Sequence, residues 1–147
     1  MLLEEAGLES TLDWYIPTVE RQTGIRLHYE KSGQSFPVDT AAGVHLYRIV
    51  QEALNNVSRH ASVSEAWVRL KFLPNALELE VEDHGKGFVA ADGSVLSPNN
   101  VPRGIGLVAM RERAELIGGT LDISLSAQGG TLVRLKISQE KLQTHAA

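Results

Sequence analysis

Two runs of alternating apolar and polar residues most constrain the fold of this chain. They are EAWVRLKF, beginning at Glu65, and ALELEVED, beginning at Ala76, and the pair Pro74-Asn75 separates them. A period of two places successive side chains on opposite faces of a strand, and a Pro-Asn pair favours a turn. The pattern therefore predicts two antiparallel strands joined as a hairpin.

Patterns on either side of this hairpin predict the other elements. Apolar residues at three-to-four spacing indicate a helix from Leu3 to about Thr23, broken or bent near Pro17, and a second helix that follows the N-cap Asp39 and runs to about Ala61. The rest are a strand over 25–30, a third helix between Gly104 and Gly118-Gly119, and the strands TLDISLS and TLVRLKI around a turn at 128–130. This order predicts an α/β fold of two layers, in which a mixed sheet of about five strands carries three main helices on one face.

Length and composition limit the class of protein. The 147 residues allow one domain, which we place at 1–138, with residues 139–147 as a frayed tail. Fourteen Lys and Arg against eighteen Asp and Glu give a net charge of −4, and no basic stretch suits nucleic acid. The absence of cysteine excludes disulfides and thiolate chemistry. With no leader pattern and no long apolar run, we expect a cytoplasmic location without membrane contact.

Three polar residues of the second helix are predicted to share one edge. At about 100° per residue from Leu46, the apolar stripe centres near about 10°, while Glu52, Asn56 and Arg59 fall at about 240°, 280° and 220°. Carboxylate and carboxamide oxygens suit a divalent cation, and a guanidinium suits an anionic oxygen. A solvated helix face gives the same pattern, so both interpretations stay open.

Two glycine-rich segments follow. Asp83 comes at the end of a predicted strand, and Gly85 and Gly87 after it permit close backbone approach, although Asp-x-Gly is also a common turn. Gly104 and Gly106 stand at the start of the third helix, where free N–H groups and the helix dipole suit an anion such as a phosphate. Neither segment completes a P-loop or a GxGxxG motif. Residues 88–103 between them lack periodicity and are expected to form a lid or to be disordered.

Taken together, these segments resemble the ATP-binding domains of sensor histidine kinases, in the superfamily that includes gyrase and MutL ATPases. YRIVQEALNNVSRHA (47–61) is similar to the N box, VEDHGKGF (81–88) to the first glycine box and RGIGLVAMRERAELIGGTLDI (103–123) to the second. QEALNN, RHA and MRERAELIGG resemble the subfamily that phosphorylates response regulators with LuxR-type outputs. The resemblance covers about Leu8 to Ile137 and implies a Bergerat-type sandwich.

The resemblance also implies a role for each matching residue. Asn56 would bind Mg²⁺ at the phosphates of ATP, and Glu52 would lie beside the metal or polarise the acceptor imidazole as the catalytic residue. Asp83 would accept a hydrogen bond from the exocyclic amine of adenine, with support from Thr131. The other implied ATP contacts are Arg59, His60, Gly85, Gly87, Gly104, Gly106 and Leu107.

The implied activity is transfer of the γ-phosphoryl group of Mg·ATP to a histidine on a dimerisation helix. None of the five histidines of this chain fits the acceptor's usual context, so the acceptor helix is expected to lie outside this sequence. We therefore expect the histidine-bearing dimerisation domain of a parent kinase as the partner, a response regulator as an indirect partner, and a monomer in isolation. The parent could be anchored in a membrane. The alternatives are an anti-sigma-factor-type serine kinase and a non-catalytic ATP-sensing interaction module.

Overall fold

The computed structural model describes residues 2–61, 63–85, 107–126 and 129–143. A π-helical turn, Val57–Ala61, directly continues the second helix. The helices and strands, in chain order, are α1 (Leu2–Thr23), β1 (Arg26–Gly33), α2 (Thr40–Asn56), β2 (Glu65–Leu73), β3 (Ala76–Asp83), α3 (Leu107–Leu116), β4 (Thr120–Leu125), β5 (Thr131–Ser138) and α4 (Gln139–Gln143).

The strands form one mixed sheet in the order β1-β2-β3-β5-β4. β1 pairs in parallel with β2, and the other three pairs are antiparallel. The predicted hairpin is confirmed, with Leu73 opposite Ala76 across the turn. Alternate residues of its two strands are buried in the hydrophobic core: Ala66, Val68, Leu70, Phe72, Leu77, Leu79 and Val81. The predicted five-strand α/β sandwich with helices on one face is likewise confirmed.

The other face of the sheet carries charged side chains, and we call it the open face. Glu80, at its centre, is only 2% exposed because basic side chains surround it. Its carboxylate lies 2.7 Å from Nε of Arg134, 3.1 Å from Nζ of Lys71 and 3.3 Å from Nη1 of Arg69. Burial opposes ionisation, but the hydrogen bonds from Arg134 and Lys71 outweigh it and lower the pKa of Glu80 to about 2.

Helix α2 begins as the sequence predicts. The side chain of Asp39 accepts a hydrogen bond from the backbone N–H of Ala41 at 3.1 Å, which caps the first turn. The apolar stripe of the helix is buried against α1, α3 and the sheet, and it comprises Leu46, Ile49, Val50, Ala53 and Leu54. The end differs from the prediction, because the α-helix stops at Asn56 and the remaining residues to Ala61 form the wider π turn.

Helix α1 is interrupted at a different residue from the one that the sequence suggests. Its backbone continues in helical form through Pro17, whereas Gly7 has φ +83° and ψ 178°. A positive φ costs glycine little because glycine has no Cβ. The predicted break near Pro17 is therefore wrong in position, and the helix is interrupted at Gly7, immediately before the buried residue Leu8.

The C-terminal residues correct the expectation of a frayed tail from residue 139. Residues 139–143 form α4, in which Leu142 is fully buried. The amide of Gln143 also donates a hydrogen bond to the carbonyl oxygen of Pro37 at 3.0 Å. Five residues are too few to show a helical period, so the sequence carries no local signal of this packing. Residues 144–147 lie outside the described part of the chain.

Helix α3 ends at the predicted glycines. Gly118 has φ +77°, and the N–H of Gly119 donates to the carbonyl of Ala114 at 2.8 Å, which closes the helix and turns the chain into β4. The predicted lid at 88–103 lies outside the described residues. No helix in the described ranges is both long and apolar enough to cross a membrane.

Candidate functional site

The candidate site lies at the end of the sheet where β3 stops at Asp83. Asp83 stands opposite Ala66, which is fully buried beneath the helices, so its side chain lies on the helix-covered face. β5 begins beside it at Thr131, since Leu132 pairs with Glu82. This arrangement brings residues 83 and 131, which are 48 positions apart in the chain, to the same end of the sheet.

Backbone N–H groups bind one oxygen of the Asp83 carboxylate. Oδ1 accepts hydrogen bonds from Gly85 N at 2.9 Å and from Thr131 N at 3.4 Å, whereas the described contacts include none to Oδ2. The side chain is 4% exposed. Burial raises the pKa of Asp83, although the two N–H groups oppose the shift. Asp83 is thus a buried acceptor with one oxygen fixed by the protein and the other available to a donor.

Gly130 makes room for this carboxylate. A Cβ built at position 130 would overlap the backbone carbonyl of Asp83 and would lie 2.7 Å from Asp83 Oδ1. Only glycine therefore allows β5 to approach β3 closely enough for the Thr131 amide to reach the carboxylate. The sequence showed Gly130 as part of a hairpin turn and gave no sign of this contact.

The polar edge predicted on α2 is present for two of its three members. Glu52 and Asn56 lie one turn apart near the end of α2, and both are partly buried. Arg59 is exposed and, like His60, belongs to the π turn, where 100° per residue no longer applies because the turn is wider. A π-helical turn after Asn56 is a feature that the sequence pattern did not reveal.

The chain connections place the π turn and the start of α3 toward the end of the sheet at which Asp83 lies. The chain leaves the π turn and enters β2 at Glu65, next to Ala66, the partner of Asp83. α3 begins at Leu107, and because it turns back into β4, its start is directed toward the end where Leu125 pairs with Thr131. The remaining predicted site residues, Gly87, Gly104 and Gly106, lie outside the described residues.

Sequence reasoning missed a group of side chains on the open face behind Asp83. The side chains of Glu82 and His84, the two chain neighbours of Asp83, both make their contacts on this face. Glu82 accepts a hydrogen bond from Ser126 Oγ and lies 2.9 Å from Nη1 of Arg69. The ring of His84 stacks on Trp67, with centroids 4.2 Å apart. Strand alternation was the available signal, since it places the side chains of residues 82 and 84 on the other face of the sheet from that of residue 83.

Comparison with known proteins identifies the family. The family model described as "Histidine kinase-, DNA gyrase B-, and HSP90-like ATPase" matches residues 41–141. The oxygen sensor histidine kinase NreB of Staphylococcus carnosus is 34% identical over 135 residues, which cover 92% of this chain and 37% of NreB. The signal transduction histidine-protein kinase/phosphatase DegS of Brevibacillus brevis is 31% identical over 93% of this chain and 34% of DegS.

A solved structure supports the same fold. The histidine kinase domain of the blue-light activated kinase EL346 from Erythrobacter litoralis superimposes with a TM-score of 0.69 at 21% identity, covering 93% of this chain and 63% of that one. The chain spans about a third of the length of the two curated relatives. With its buried Asp83, its polar α2 edge and a family match over most of its length, the chain belongs to the histidine kinase-, DNA gyrase B- and HSP90-like ATPases, as an ATP-binding domain of the histidine kinase kind.

Proposed function

We propose that this chain binds Mg·ATP and transfers its γ-phosphoryl group to a histidine on a dimerisation domain of a longer kinase. The observation that carries the proposal is the state of Asp83, a buried carboxylate with one oxygen held by two backbone donors. A buried acceptor needs a donor, and the exocyclic amine of adenine is one. Guanine has a carbonyl oxygen at that ring position, which a carboxylate repels.

The residues near the end of α2 fit the phosphate end of the nucleotide. Mg²⁺ prefers oxygen ligands and shares its coordination sphere with substrate phosphates, and Asn56 and Glu52 offer such oxygens one helical turn apart. Within the described residues, no group of three or more His, Asp and Glu side chains could hold a metal. We assign Asn56 to the metal and Glu52 either to the metal or to the acceptor imidazole. When bound, Mg²⁺ supplies neutralisation of phosphate charge.

The other site residues complete the proposed pocket. Gly85 and Thr131 fix the Asp83 carboxylate, and the start of α3 at Leu107 offers N–H groups with a positive dipole to the phosphates. We further assign Arg59 and His60 to phosphate and ribose, and Gly87, Gly104 and Gly106 to the pocket floor and the lid. Positioning and charge neutralisation are then the main contributions to catalysis.

The names of the relatives support the proposed acceptor. NreB and DegS are named as histidine kinases, and the matched residues cover 37% and 34% of their lengths. We propose that a histidine-bearing dimerisation domain is the direct partner, that a response regulator receives the phosphoryl group from it, and that the reaction takes place in the cytoplasm. We expect the isolated chain to be a monomer, which light scattering would test.

Calorimetric titration tests the nucleotide site. The parent chain should bind Mg·ATP saturably and Mg·GTP at least about tenfold more weakly, because one hydrogen bond to a charged group is replaced by a repulsive contact. Asp83→Asn should lose ATP binding. Asp122→Asn, which removes an exposed carboxylate from the open face, is the matched control and should bind ATP normally. Failure of a folded parent chain to bind any nucleotide would refute the proposal.

A phosphotransfer assay then identifies the acceptor. The chain is incubated with labelled ATP and either a histidine-bearing dimerisation helix or a serine-bearing protein substrate. Acid-labile label on the helix supports the histidine kinase. Acid-stable label on serine would instead support an anti-sigma-factor-type kinase, and ATP binding without transfer to either would support an ATP-sensing interaction module.

A further inference from the structure

The two chain neighbours of Asp83 are both held on the face of the sheet opposite to it. We call the five residues concerned the open-face clamp: Trp67, Arg69, Glu82, His84 and Ser126. Asp83 lies on the helix-covered face, and the residues before and after it make their contacts on the open face. The clamp therefore lies behind Asp83, where a nucleotide bound between the sheet and the helices does not reach.

Glu82 forms the first half of the clamp. It is 9% exposed, accepts a hydrogen bond from Ser126 Oγ and pairs with Arg69 at 2.9 Å. Burial opposes its ionisation, but the hydrogen bonds from Ser126 and Arg69 prevail and lower the pKa of Glu82. Movement of this largely buried carboxylate would separate its charge from both donors, which restricts the position of Glu82.

His84 forms the second half. Its ring lies on the indole of Trp67 at 4.2 Å and 27°, and its Nε2 is 3.3 Å from Oε2 of Glu82. Trp67 is in turn opposite Glu82 in the strand register, and its other neighbour is His28, with ring centroids 5.1 Å apart. These contacts hold the side chain of the residue that lies directly between Asp83 and Gly85.

Ser126 joins the clamp to the turn between β4 and β5. Its N–H donates to the carbonyl of Gly130 at 2.8 Å, and its carbonyl accepts from the N–H of Gly129 at 2.9 Å. Gly130 packs against Asp83 itself. The turn is thus attached to the end of β3 through Ser126 on the open face and through residues 130 and 131 beside the carboxylate.

From these contacts we propose that the open-face clamp positions the Asp83 carboxylate for adenine, so that Ser126 and His84 set the affinity for ATP without touching the nucleotide. The proposal rests on the proposed function for its ligand. One part of the proposal concerns the structure alone: the clamp maintains the hydrogen bonds from Gly85 and Thr131 to Asp83. This part can be tested without any nucleotide.

The test compares Ser126→Ala, Ser126→Thr and His84→Ala with the parent chain, and uses Glu78→Gln as the matched control. Glu78 lies on the same strand and face, where it contacts Arg134 at 3.3 Å, but it is outside the clamp. Two quantities are measured for each folded variant. They are the hydrogen-exchange rates of the Gly85 and Thr131 amides without nucleotide, and the dissociation constant for Mg·ATP by calorimetry.

We expect Ser126→Ala and His84→Ala to speed exchange at both amides and to weaken ATP binding by about tenfold, the effect of about one hydrogen bond. Ser126→Thr retains the hydroxyl, so its exchange rates and its dissociation constant for Mg·ATP should lie within about twofold of those of the parent.

Three results would overturn the inference. They are unchanged exchange at Gly85 and Thr131 in the alanine variants, unchanged ATP affinity in these variants, and equal effects of Glu78→Gln. Failure of the parent to bind ATP would refute the proposed function instead, and the exchange rates would still decide whether the clamp holds Asp83. The two failures are therefore distinguishable.

Discussion

The backbone N–H of Asp39 donates a hydrogen bond of 2.9 Å to the carbonyl oxygen of Leu142, the fully buried residue of the C-terminal helix. The same Asp39 caps α2 by accepting from Ala41 N. The start of the helix that carries Glu52 and Asn56 is therefore joined to the C-terminal end of the described chain. Loss of α4 would remove a hydrogen-bond partner from the cap as well as apolar contacts from the core.

Leu142→Ala should destabilise the fold by about 2 to 4 kcal/mol, because a fully buried leucine leaves a cavity when it is shortened. Urea unfolding measures the change. Gln143→Ala is the control, since it removes an exposed hydrogen bond to Pro37 and should cost less than about 1 kcal/mol. Equal stability of Leu142→Ala and the parent would show that α4 does not pack in solution as described.

Asp83→Asn should lose nucleotide binding and yet unfold at an equal or higher temperature at neutral pH. The pKa of Asp83 is raised by burial, so the folded state favours the protonated carboxyl, and the charged form disfavours folding as the pH rises. The neutral amide removes this cost. The stability difference between variant and parent should grow from acid to neutral pH, as calorimetric melting at several pH values would show. A variant less stable than the parent at neutral pH would contradict this explanation.

Acid should weaken the fold through Glu80. The pKa of Glu80 is about 2 in the folded protein, compared with its ordinary value of 4.5, which we take for the unfolded chain. Its stabilising contribution is therefore complete above pH 4.5 and is lost as the pH falls toward 2. Given the partly exposed partners Arg134 and Lys71, we expect roughly 1 to 3 kcal/mol from this group. Urea unfolding of Glu80→Gln and the parent should differ near neutral pH and converge in acid. A constant difference across this range would exclude Glu80 as the cause.

Asn56→Ala should remove the part of ATP affinity that depends on Mg²⁺. If Asn56 binds the metal, the variant should bind Mg·ATP about tenfold more weakly, and its affinity for ATP without Mg²⁺ should match the parent's. Gln51→Ala, on the same helix and in contact with Arg48, is the control. An equal loss with and without Mg²⁺ would assign Asn56 to the nucleotide or to the fold instead of the metal.

The sequence predicted the elements wherever a local period was long enough. The alternation around Pro74-Asn75, the cap at Asp39 and the glycine stop at Gly118 all appear in the structure, because each depends on chain neighbours. The helix interruption was placed at Pro17 and lies at Gly7. Proline removes one backbone hydrogen bond from a helix, and tertiary packing can compensate for this loss. A single glycine carries no periodic signal, so the sequence did not reveal the non-helical backbone at Gly7.

The candidate site shows the same division. Asp83, Gly85 and Gly87 could be proposed as candidates from the sequence because their motif is contiguous and its chemistry is local. The contacts of Asp83 with Gly130 and Thr131 could not be derived from a local pattern, since these residues lie 47 and 48 positions further along the chain, and only the family resemblance pointed to Thr131. The sequence by itself determined which residues carry polar, apolar or glycine chemistry and which elements they join. Only the tertiary structure decided that Ser126 would meet Glu82 and that Leu142 would meet Asp39, because such contacts depend on strand order and helix packing that no local period encodes.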